Sequence, residues 1–424
     1  MAVPDKTRVF VRDPVFFMTA IKSITFNEQT SKTTIINRRI SPRFRKVLMK
    51  ILFVVCGEGL GHASRCLHLG HYLQQEGHTV HFAGYGKSCE FMKQHGCTHV
   101  HTTPREVCLE GENGFFSLKK TLWYSKFILL DMIRSGLSVR SLIIEHQFDC
   151  VVCDTMYAGV LAARLQNVPV VFVTNQNHFN GPGGETNPVW NTLNFLIRRY
   201  IRIANQVIIP DYPAPDTVSE YNIVVPEGEE GRYSFTGPFY DFDPARYTYA
   251  RKTFFASFGG EPYKLPMYQM LKAIADKRKD LCFDVFYTGK DLPDTSGNFI
   301  SHGYVPNIYE HLARTRIAIV HGGLTTLHEA LLFEKPVLII MDPGHPEQQN
   351  NAKKIVDLGA GISIDGRLVT QETLEKKIRE TVALTPRPFR EVHTAINGKK
   401  NAAAIICDIA SRGKPSSGTA AKKI

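Results

Sequence analysis

The chain has 424 residues, which is longer than a single hydrophobic core usually supports, so its length predicts two domains. Its 43% hydrophobic and 21% charged residues are typical of a globular protein, and no apolar run reaches the roughly 20 residues that span a bilayer. The nine cysteines follow no repeated spacing, which argues against a disulfide framework and for a reducing compartment.

The net charge of +11 is concentrated at the N-terminus. Residues 1–48 contain ten Lys or Arg side chains and three acidic ones, so this extension carries +7 and leaves +4 to the other residues. Because the basic residues belong to the extension rather than to a face of the folded body, we predict no nucleic-acid partner. We expect residues 1–48 to be disordered or not part of the native chain, and we exclude them from the fold.

The first half of the body alternates strands and helices. A buried strand over 50–56 is followed by a glycine-rich turn, by a helix over 63–75 and by a strand over 79–83. A later unit consists of a strand over 150–153, a helix over 157–166 and a strand over 169–173. Such alternation indicates parallel strands joined by crossover helices.

The pattern restarts after residues 233–238, which we interpret as an exposed link between two domains. Further strands are predicted over 253–258, 283–287, 317–320 and 337–340, with helices between them. The sequence therefore predicts an α/β protein with two Rossmann-like domains, the first over 49–235 and the second over 236–411. The last residues, 412–424, are rich in Ser, Gly, Lys and Ala, and we predict a disordered tail.

The turn Gly57-Glu58-Gly59-Leu60-Gly61-His62 joins the first strand to the first helix. It places backbone N–H groups and a helix N-terminus at the edge of a parallel sheet where ligands bind. Gly57, Gly59 and Gly61 could equally serve a tight connection that needs positive φ. His62 at the helix start favours a functional site, because a neutral imidazole accepts a proton.

The second half contains a denser set of polar residues, His321-Gly322-Gly323-Leu324-Thr325 with Glu329, and then Glu347-Gln348. The two glycines let the backbone approach an anion at the start of a helix. Glu329 is placed to accept hydrogen bonds from vicinal hydroxyls, such as those of a ribose, and Glu347 with Gln348 suits the hydroxyls of a sugar. Packing alone does not account for this combination.

Residues 303–361 resemble the donor-binding region of glycosyltransferases with the B fold, of the peptidoglycan N-acetylglucosaminyltransferase and UDP-glycosyltransferase type. The stretch from Gly57 to Arg65 is similar to a subgroup of such enzymes found in archaea and bacteria. The resemblance covers most of residues 50–410 and is poor between about 105 and 145. It implies that two Rossmann-like domains face each other across a cleft, with the acceptor on the first and the nucleotide sugar on the second.

The resemblance also implies roles for the matching residues. His62 would be the general base that deprotonates an acceptor hydroxyl, and Asp154 would orient it, although an Asp after a strand often only caps the next turn. The residues implied in donor binding are Ser257, Gly259 and Gly260 near the phosphates, Tyr304 and Val305 beside the nucleobase, and His321, Gly323 and Thr325 at the diphosphate. Gly322 and Leu324 belong to the same turn, Glu329 would bind the ribose, and Glu347 and Gln348 would bind the sugar.

The implied reaction is an inverting transfer of GlcNAc or a hexose from a UDP-sugar to a hydroxyl, with no metal and no cofactor besides the donor substrate. Glu347 stands where many members have Asp, which leaves the sugar open. The pair Asp241 and Asp243 has the spacing of a metal-chelating D-x-D. Because the pair lies in the predicted link and not at a sheet edge, we interpret it as part of a loop.

Apolar and basic residues are interleaved over 115–134, which suits an anionic membrane surface. Residues 189–204 form an amphipathic pattern that we interpret as a core helix with a solvated charged face. We therefore favour a lipid-linked acceptor of a cell-envelope glycan over a soluble one. The protein is expected in the cytoplasm, in peripheral contact with the inner face of the cell membrane.

Two other functions remain open. Nucleotide-sugar 2-epimerases share this fold, but they need acid and base groups around the donor sugar and no separate acceptor site. A non-catalytic nucleotide-sugar-binding protein would not need the histidine of the first loop. The stretch 115–134 and the loop ending in His62 favour the transferase.

Overall fold

The computed structural model describes residues 48–412, except 182–184, 187, 241–242, 244–245, 288, 290, 304, 306, 386–388 and 390–395. The extension before residue 48 and the tail after residue 412, for which we predicted disorder, lie outside the described residues. From Leu48 onwards the chain forms one compact unit. Its described part contains two parallel sheets, which confirms the predicted α/β class.

The first half is built on a seven-stranded parallel sheet. Its strands are β1 (Lys50–Val55), β2 (Thr79–Gly84), β3 (Val100–Thr102), β6 (Cys150–Asp154), β7 (Val170–Val173), β8 (Gln206–Ile209) and β9 (Tyr233–Phe235), and a separate hairpin is formed by β4 (Gly111–Glu112) and β5 (Phe115–Phe116). The strand order is β3-β2-β1-β6-β7-β8-β9. Residues Ile51–Val55 are completely buried because helices cover both faces of this central strand.

Six helices accompany this sheet: α1 (Leu60–Gln75), α2 (Gly86–Gln94), α3 (Leu118–Tyr124), α4 (Ile128–His146), α5 (Tyr157–Leu165) and α6 (Pro188–Ile203). The strand order reverses between β1 and β6, so their C-terminal ends form the kind of crevice in which α/β proteins bind ligands. The register pairs Val55 with Asp154 at that edge. Helix α1 begins directly after this edge of the sheet, so its N-terminus points into the crevice.

The second half repeats the design with a six-stranded parallel sheet. The strands are β10 (Thr253–Ser257), β11 (Phe283–Phe286), β12 (Phe299–His302), β13 (Thr315–Val320), β14 (Val337–Met341) and β15 (Gly361–Asp365). Their order is β12-β11-β10-β13-β14-β15. The helices are α7 (Leu265–Lys277), α8 (Tyr309–Arg314), α9 (Leu324–Leu332), α10 (Pro346–Asp357), α11 (Gln371–Val382) and α12 (Gly398–Arg412).

Two predictions about the boundary between the halves are wrong. Residues 233–238 are not an exposed link, because Tyr233–Phe235 is the edge strand β9 and the residues from Thr236 to Phe239 are buried. The last helix, α12, does not belong to the second domain. Its Ala402 and Ile406 are completely buried in the hydrophobic core of the first half, beside α1. The chain therefore crosses between the halves twice.

Within the described residues, no helix is both long enough and apolar enough to span a lipid bilayer.

Candidate active site

A cleft runs between the C-terminal ends of the two sheets. It is lined by residues that follow β1, β10, β11, β12, β13 and β14, so both halves contribute the edge at which parallel sheets bind ligands. The cavity beside His62 has a volume of about 340 Å³, and an adjoining cavity beside Glu329 measures about 720 Å³. Each is within the range of sites for small molecules.

His62 lies in the first turn of α1, directly after the turn in which Gly59 adopts a φ of 75°. Its Nδ1 is 2.8 Å from Oδ1 of Asp154, the last residue of β6. The carboxylate is completely buried, whereas the imidazole is 24% exposed and lines the cleft. Nη2 of Arg65 also lies 2.9 Å from Nδ1. In the tautomer whose Nδ1–H donates to Asp154, Nε2 is the nitrogen that can accept a proton. The structure thus pairs the two predicted catalytic residues.

Asp154 is shared with Arg65, one helical turn beyond His62. The Arg65 Nε donates to Oδ2 of Asp154 at 2.6 Å, and its Nη2 donates to Oδ1. Burial alone would raise the pKa of Asp154, but the charges of Arg65 and His62 and their hydrogen bonds outweigh it and hold this pKa well below its usual range. The carboxylate therefore stays ionised behind the histidine.

The same arginine connects His62 and Asp154 to the second half. Its Nη1 donates to Oδ1 of Asn175 at 3.0 Å, and Nδ2 of Asn175 donates to Oε1 of Glu347 at 2.8 Å. Glu347 is in the first turn of α10, so a continuous chain of hydrogen bonds crosses the cleft. We had predicted no role for Arg65 or Asn175. The spacing of three residues between His62 and Arg65 was the available signal for Arg65, whereas nothing local distinguishes Asn175.

The glycine-rich loops of the second half approach the first half closely. A Cβ added to Gly61 would be 3.2 Å from Oγ1 of Thr325, which lies across the cleft. Gly323 is close to the ring of His321, where an added Cβ would meet Nε2 at 2.8 Å. Gly322 adopts a φ of 91°, so a side chain there would strain the turn before α9. These glycines keep backbone N–H groups accessible at the start of a helix.

Charged and titratable groups lie behind these loops. Burial and the charge of Lys264 lower the pKa of His321 to about 4, so this imidazole is neutral. Lys264 itself lines the cleft and forms a buried ion pair with Asp342. Asp342 also engages Gln348, whose Oε1 accepts from the backbone N–H of Asp342 at 2.8 Å. Nothing in the sequence around Lys264 singles it out, because its partner is 78 positions away.

The predicted site residues fall into four groups. Those that line the cleft cavity are Gly59, Gly61, His62, Ser257, Gly259, Gly260, Val305, His321, Gly323, Leu324, Thr325, Glu347 and Gln348. Three lie elsewhere: Asp154 is behind His62, Gly57 packs against Tyr85, and Gly322 packs against Ile339 and Gln348. Glu329 lines the adjoining cavity, and burial raises its pKa to about 8. Tyr304 lies outside the described residues.

Comparisons of the sequence identify relatives of both halves. Residues 282–406 match the glycosyltransferase family 28 C-terminal domain, and residues 49–204 match glycosyl transferase family 1. An uncharacterized glycosyltransferase of Methanosarcina mazei is 30% identical over 357 residues, which cover 81% of this chain and 92% of that protein. The UDP-N-acetylglucosamine–N-acetylmuramyl-(pentapeptide) pyrophosphoryl-undecaprenol N-acetylglucosamine transferase of Thermosipho africanus is 33% identical over 109 residues, which cover 25% of this chain and 33% of that protein.

Solved structures share the architecture. The glycotransferase of kitacinnamycin superposes with a TM-score of 0.60 at 16% identity, covering 87% of this chain and all 100% of its own. MurG of Acinetobacter baumannii superposes with a TM-score of 0.55 at 15% identity, covering 85% of this chain and 99% of its own. At such identities the likeness concerns the fold alone, and it confirms the predicted arrangement of two Rossmann-like domains.

Proposed function

This chain belongs to the glycosyltransferases, as its sequence predicted, and from that premise we propose that it transfers a sugar from a UDP-sugar to a hydroxyl acceptor with inversion. The observation that carries this proposal is the position of His62. The histidine is oriented by Asp154 on the first half and opens onto the cleft, opposite the glycine-rich loops of the second half.

The donor side supports a nucleoside diphosphate. Backbone N–H groups at the start of α9 and the neutral imidazole of His321 provide hydrogen-bond donors for a diphosphate. Glu329 in the adjoining cavity provides an acceptor for the ribose hydroxyls. A relative matched over 109 residues is named for UDP-N-acetylglucosamine, which favours uridine as the base. We assign Glu347 to the donor sugar, because it projects into the cleft between the two halves.

The proposed chemistry uses one general base. As the acceptor oxygen bonds to the anomeric carbon, its proton passes to Nε2 of His62, and the bond from that carbon to the diphosphate breaks on the opposite face. The imidazolium that forms is balanced by the carboxylate of Asp154, and its proton is later lost to solvent. Base assistance of this kind contributes about 10²–10⁴-fold. The charge on the leaving UDP is stabilised by backbone N–H groups, and we propose that no metal ion takes part in this step.

We further propose that the acceptor is attached to a lipid. Helices α3 and α4 and the turn between them expose a set of large side chains, which we call the apolar patch: Leu122, Trp123, Tyr124, Phe127, Leu129, Leu130, Ile133 and Leu137. Trp123 is 67% exposed and Leu129 is 76% exposed. Contiguous exposed apolar surface of this kind indicates an interaction site.

The apolar patch carries basic residues and follows, in sequence, a hairpin that contacts the cleft. Lys119, Lys126 and Arg134 are exposed around it, and Nζ of Lys126 lies 4.9 Å from the ring centre of Trp123. The patch follows the hairpin β4–β5, which reaches the second half, where Phe116 packs edge-on against His345 of the cleft at 5.1 Å. Apolar and basic side chains together suit the anionic surface of the inner face of a cell membrane. A lipid-linked acceptor held there would present its hydroxyl beside the cleft.

The test is UDP release from a panel of UDP-sugars, with and without a polyprenyl lipid extract. We expect His62→Asn to lower kcat by roughly 10²–10⁴-fold with UDP-sugar affinity near that of the wild type. His71→Asn is the matched control, because His71 is on the same helix but away from the cleft, and its turnover should be unchanged. Near-normal turnover of His62→Asn would contradict the proposal and would direct the search for a base to His178.

The same assay separates the transferase from the epimerase of the same fold. An epimerase converts a UDP-sugar into its isomer and needs no acceptor, so acceptor-dependent release of UDP is expected only from a transferase. The apolar patch favours the transferase, because an isomerase has no second substrate to recruit. Binding of UDP-sugars without either reaction would indicate a non-catalytic binding protein.

A further inference from the structure

Three side chains with metal-binding groups converge in the second half, away from the catalytic pair. Asp284 belongs to β11, His302 is the last residue of β12, and His311 is on α8. Oδ1 of Asp284 is 3.1 Å from Nε2 of His302, and its Oδ2 is 4.0 Å from Nδ1 of His311. One ligand atom from each of the three lies within 4.8 Å of the others. The proposed reaction uses none of these groups.

This arrangement matches the ligand set of a transition metal. Two imidazole nitrogens and one carboxylate oxygen bind Zn²⁺ at about 2.0–2.2 Å, which separates the ligand atoms of a tetrahedral ion by roughly 3.4 Å. Each histidine nitrogen lies near a different oxygen of Asp284, at 3.1 and 4.0 Å, and one ligand atom from each side chain lies within 4.8 Å of the others. Small rotations of the side chains would therefore bring one ligand atom of each onto one ion. We propose that Asp284, His302 and His311 bind one divalent transition-metal ion of the zinc class.

The charge around this cluster distinguishes it from a second histidine cluster in the first half. There His81, His101 and His146 also bring their nitrogens within 4.8 Å of one another. The ammonium of Lys50 donates to the backbone oxygen of His146 at 2.9 Å, so a cation already lies beside that cluster. Asp284 instead contributes a negative charge to the cluster that it forms, and this charge offsets part of the charge of a dication. We therefore assign the ion to the second half.

The position of the cluster suggests a structural role for the ion. The ring of Phe286 borders the cleft and stacks on His302, with 4.7 Å between ring centres, and it meets His311 edge-on at 4.8 Å. Helix α8 follows directly after Asn307 and Ile308, which line the cavity beside Glu329. An ion held by all three ligands would tie α8 to β11 and β12. It would stabilise the wall of the nucleotide pocket without touching the substrates.

The test is titration of the EDTA-treated full chain with Zn²⁺ and with Co²⁺, the latter followed by its visible absorption. The wild type should bind one equivalent, and at a hundredfold excess over the dissociation constant its Tm should rise by roughly 5 °C. His302→Gln and His311→Gln should each weaken binding more than tenfold. His101→Gln, which removes a histidine of the other cluster, should leave binding and the Tm rise unchanged.

A folding defect is separated from loss of the ion by the Tm of the metal-free proteins. If His302→Gln lowers that Tm, Asp284→Asn provides an isosteric variant that keeps the packing and should also lose the ion. Absence of binding by the wild type would overturn the proposal, as would undiminished binding by both His302→Gln and His311→Gln. Binding that is lost only in His101→Gln would place the ion at the other cluster and would also overturn it.

Discussion

Replacing Asp154 with Asn should damage both stability and catalysis, because the carboxylate holds both Arg65 and His62. The side chain is completely buried, and the guanidinium of Arg65 is only 9% exposed. The neutral amide would leave that guanidinium buried without a counter-charge, which typically costs about 3–5 kcal/mol. For a unit of this size the expected fall in Tm is roughly 4–6 °C. The same change weakens the orientation of His62 and the balance of its positive form, so kcat should fall by roughly 10²–10⁴-fold.

The stability effect has a defined dependence on pH. The pKa of Asp154 in the folded protein is held below its ordinary value of about 3.9, so its stabilising contribution is complete above that pH. The contribution is lost as the pH falls from about 4 towards the lowered pKa. The difference in unfolding free energy between wild type and Asp154→Asn should therefore be constant between pH 6 and 8 and should shrink below about pH 4.

Thermal unfolding at several pH values, together with UDP release, measures both effects. Asp149→Asn is the matched control: it is the same substitution at the residue just before β6, where the carboxylate accepts a hydrogen bond from the backbone N–H of Lys50 at 2.8 Å. It should cost only about 1 kcal/mol and leave turnover intact. A variant Asp154→Asn that unfolds and turns over like the wild type would show that Asp154 only caps the turn after its strand, and the reasoning would fail.

Three further predictions concern the rest of the cleft and the apolar patch. Glu329→Gln should weaken the binding of UDP and of every UDP-sugar by roughly tenfold, and an unchanged affinity for UDP would refute the ribose role of Glu329. The same variant should have a higher Tm than the wild type, by an amount that grows between about pH 4 and 8. The reason is that the pKa of Glu329 in the folded protein is about 8, so the wild type loses stability as the pH rises over that interval. Asn175→Ala removes a hydrogen bond to Glu347 and should raise the KM for UDP-sugars by about tenfold while sparing the affinity for UDP itself, and equal losses for both would contradict this assignment. Trp123→Glu should reduce sedimentation with anionic vesicles, whereas Leu165→Glu, at an exposed apolar residue on α5, should not; equal binding by both would exclude the apolar patch as the membrane contact.

The interior strands of both sheets, except β8, which we did not predict, could be read from the sequence because they are buried on two faces. Such a strand reads as a continuous apolar run followed by a glycine-rich turn, as in β1 with the turn before His62. The strands β3, β9, β12 and β15, which we did not predict, are the edges of the two sheets. An edge strand is covered on one side only and tolerates polar residues, as in the Val100–Thr102 segment with its central histidine. The short sequence of an edge strand therefore lacks the continuous apolar run by which interior strands are recognised.

The residues of the candidate site also divide into those that the sequence reveals and those that it does not. His62 and the glycines around it were readable because a phosphate-binding turn needs particular residue types next to each other in sequence. Arg65, Asn175 and Lys264 act through partners 78 or more positions away, and only the packing of complete sheets brings them together. The exposed link predicted at 233–238 failed for the same reason, since the helix that covers this region comes from the far end of the chain.

The return of α12 to the first half has a consequence for dissecting the molecule. Ala402, Ala403, Ile406 and Ala410 are buried against α1 and the central strands, so a fragment that ends at residue 235 would expose this apolar surface to water. A fragment that begins at residue 236 would contain α12 without the hydrophobic core against which it packs. Neither half can therefore be expressed alone as it stands in the sequence. The first half would need α12 to be supplied, and the second half would need it to be removed. A circular permutant that moves α12 in front of β1 would make each half contiguous in sequence, joined to the other by a single connection.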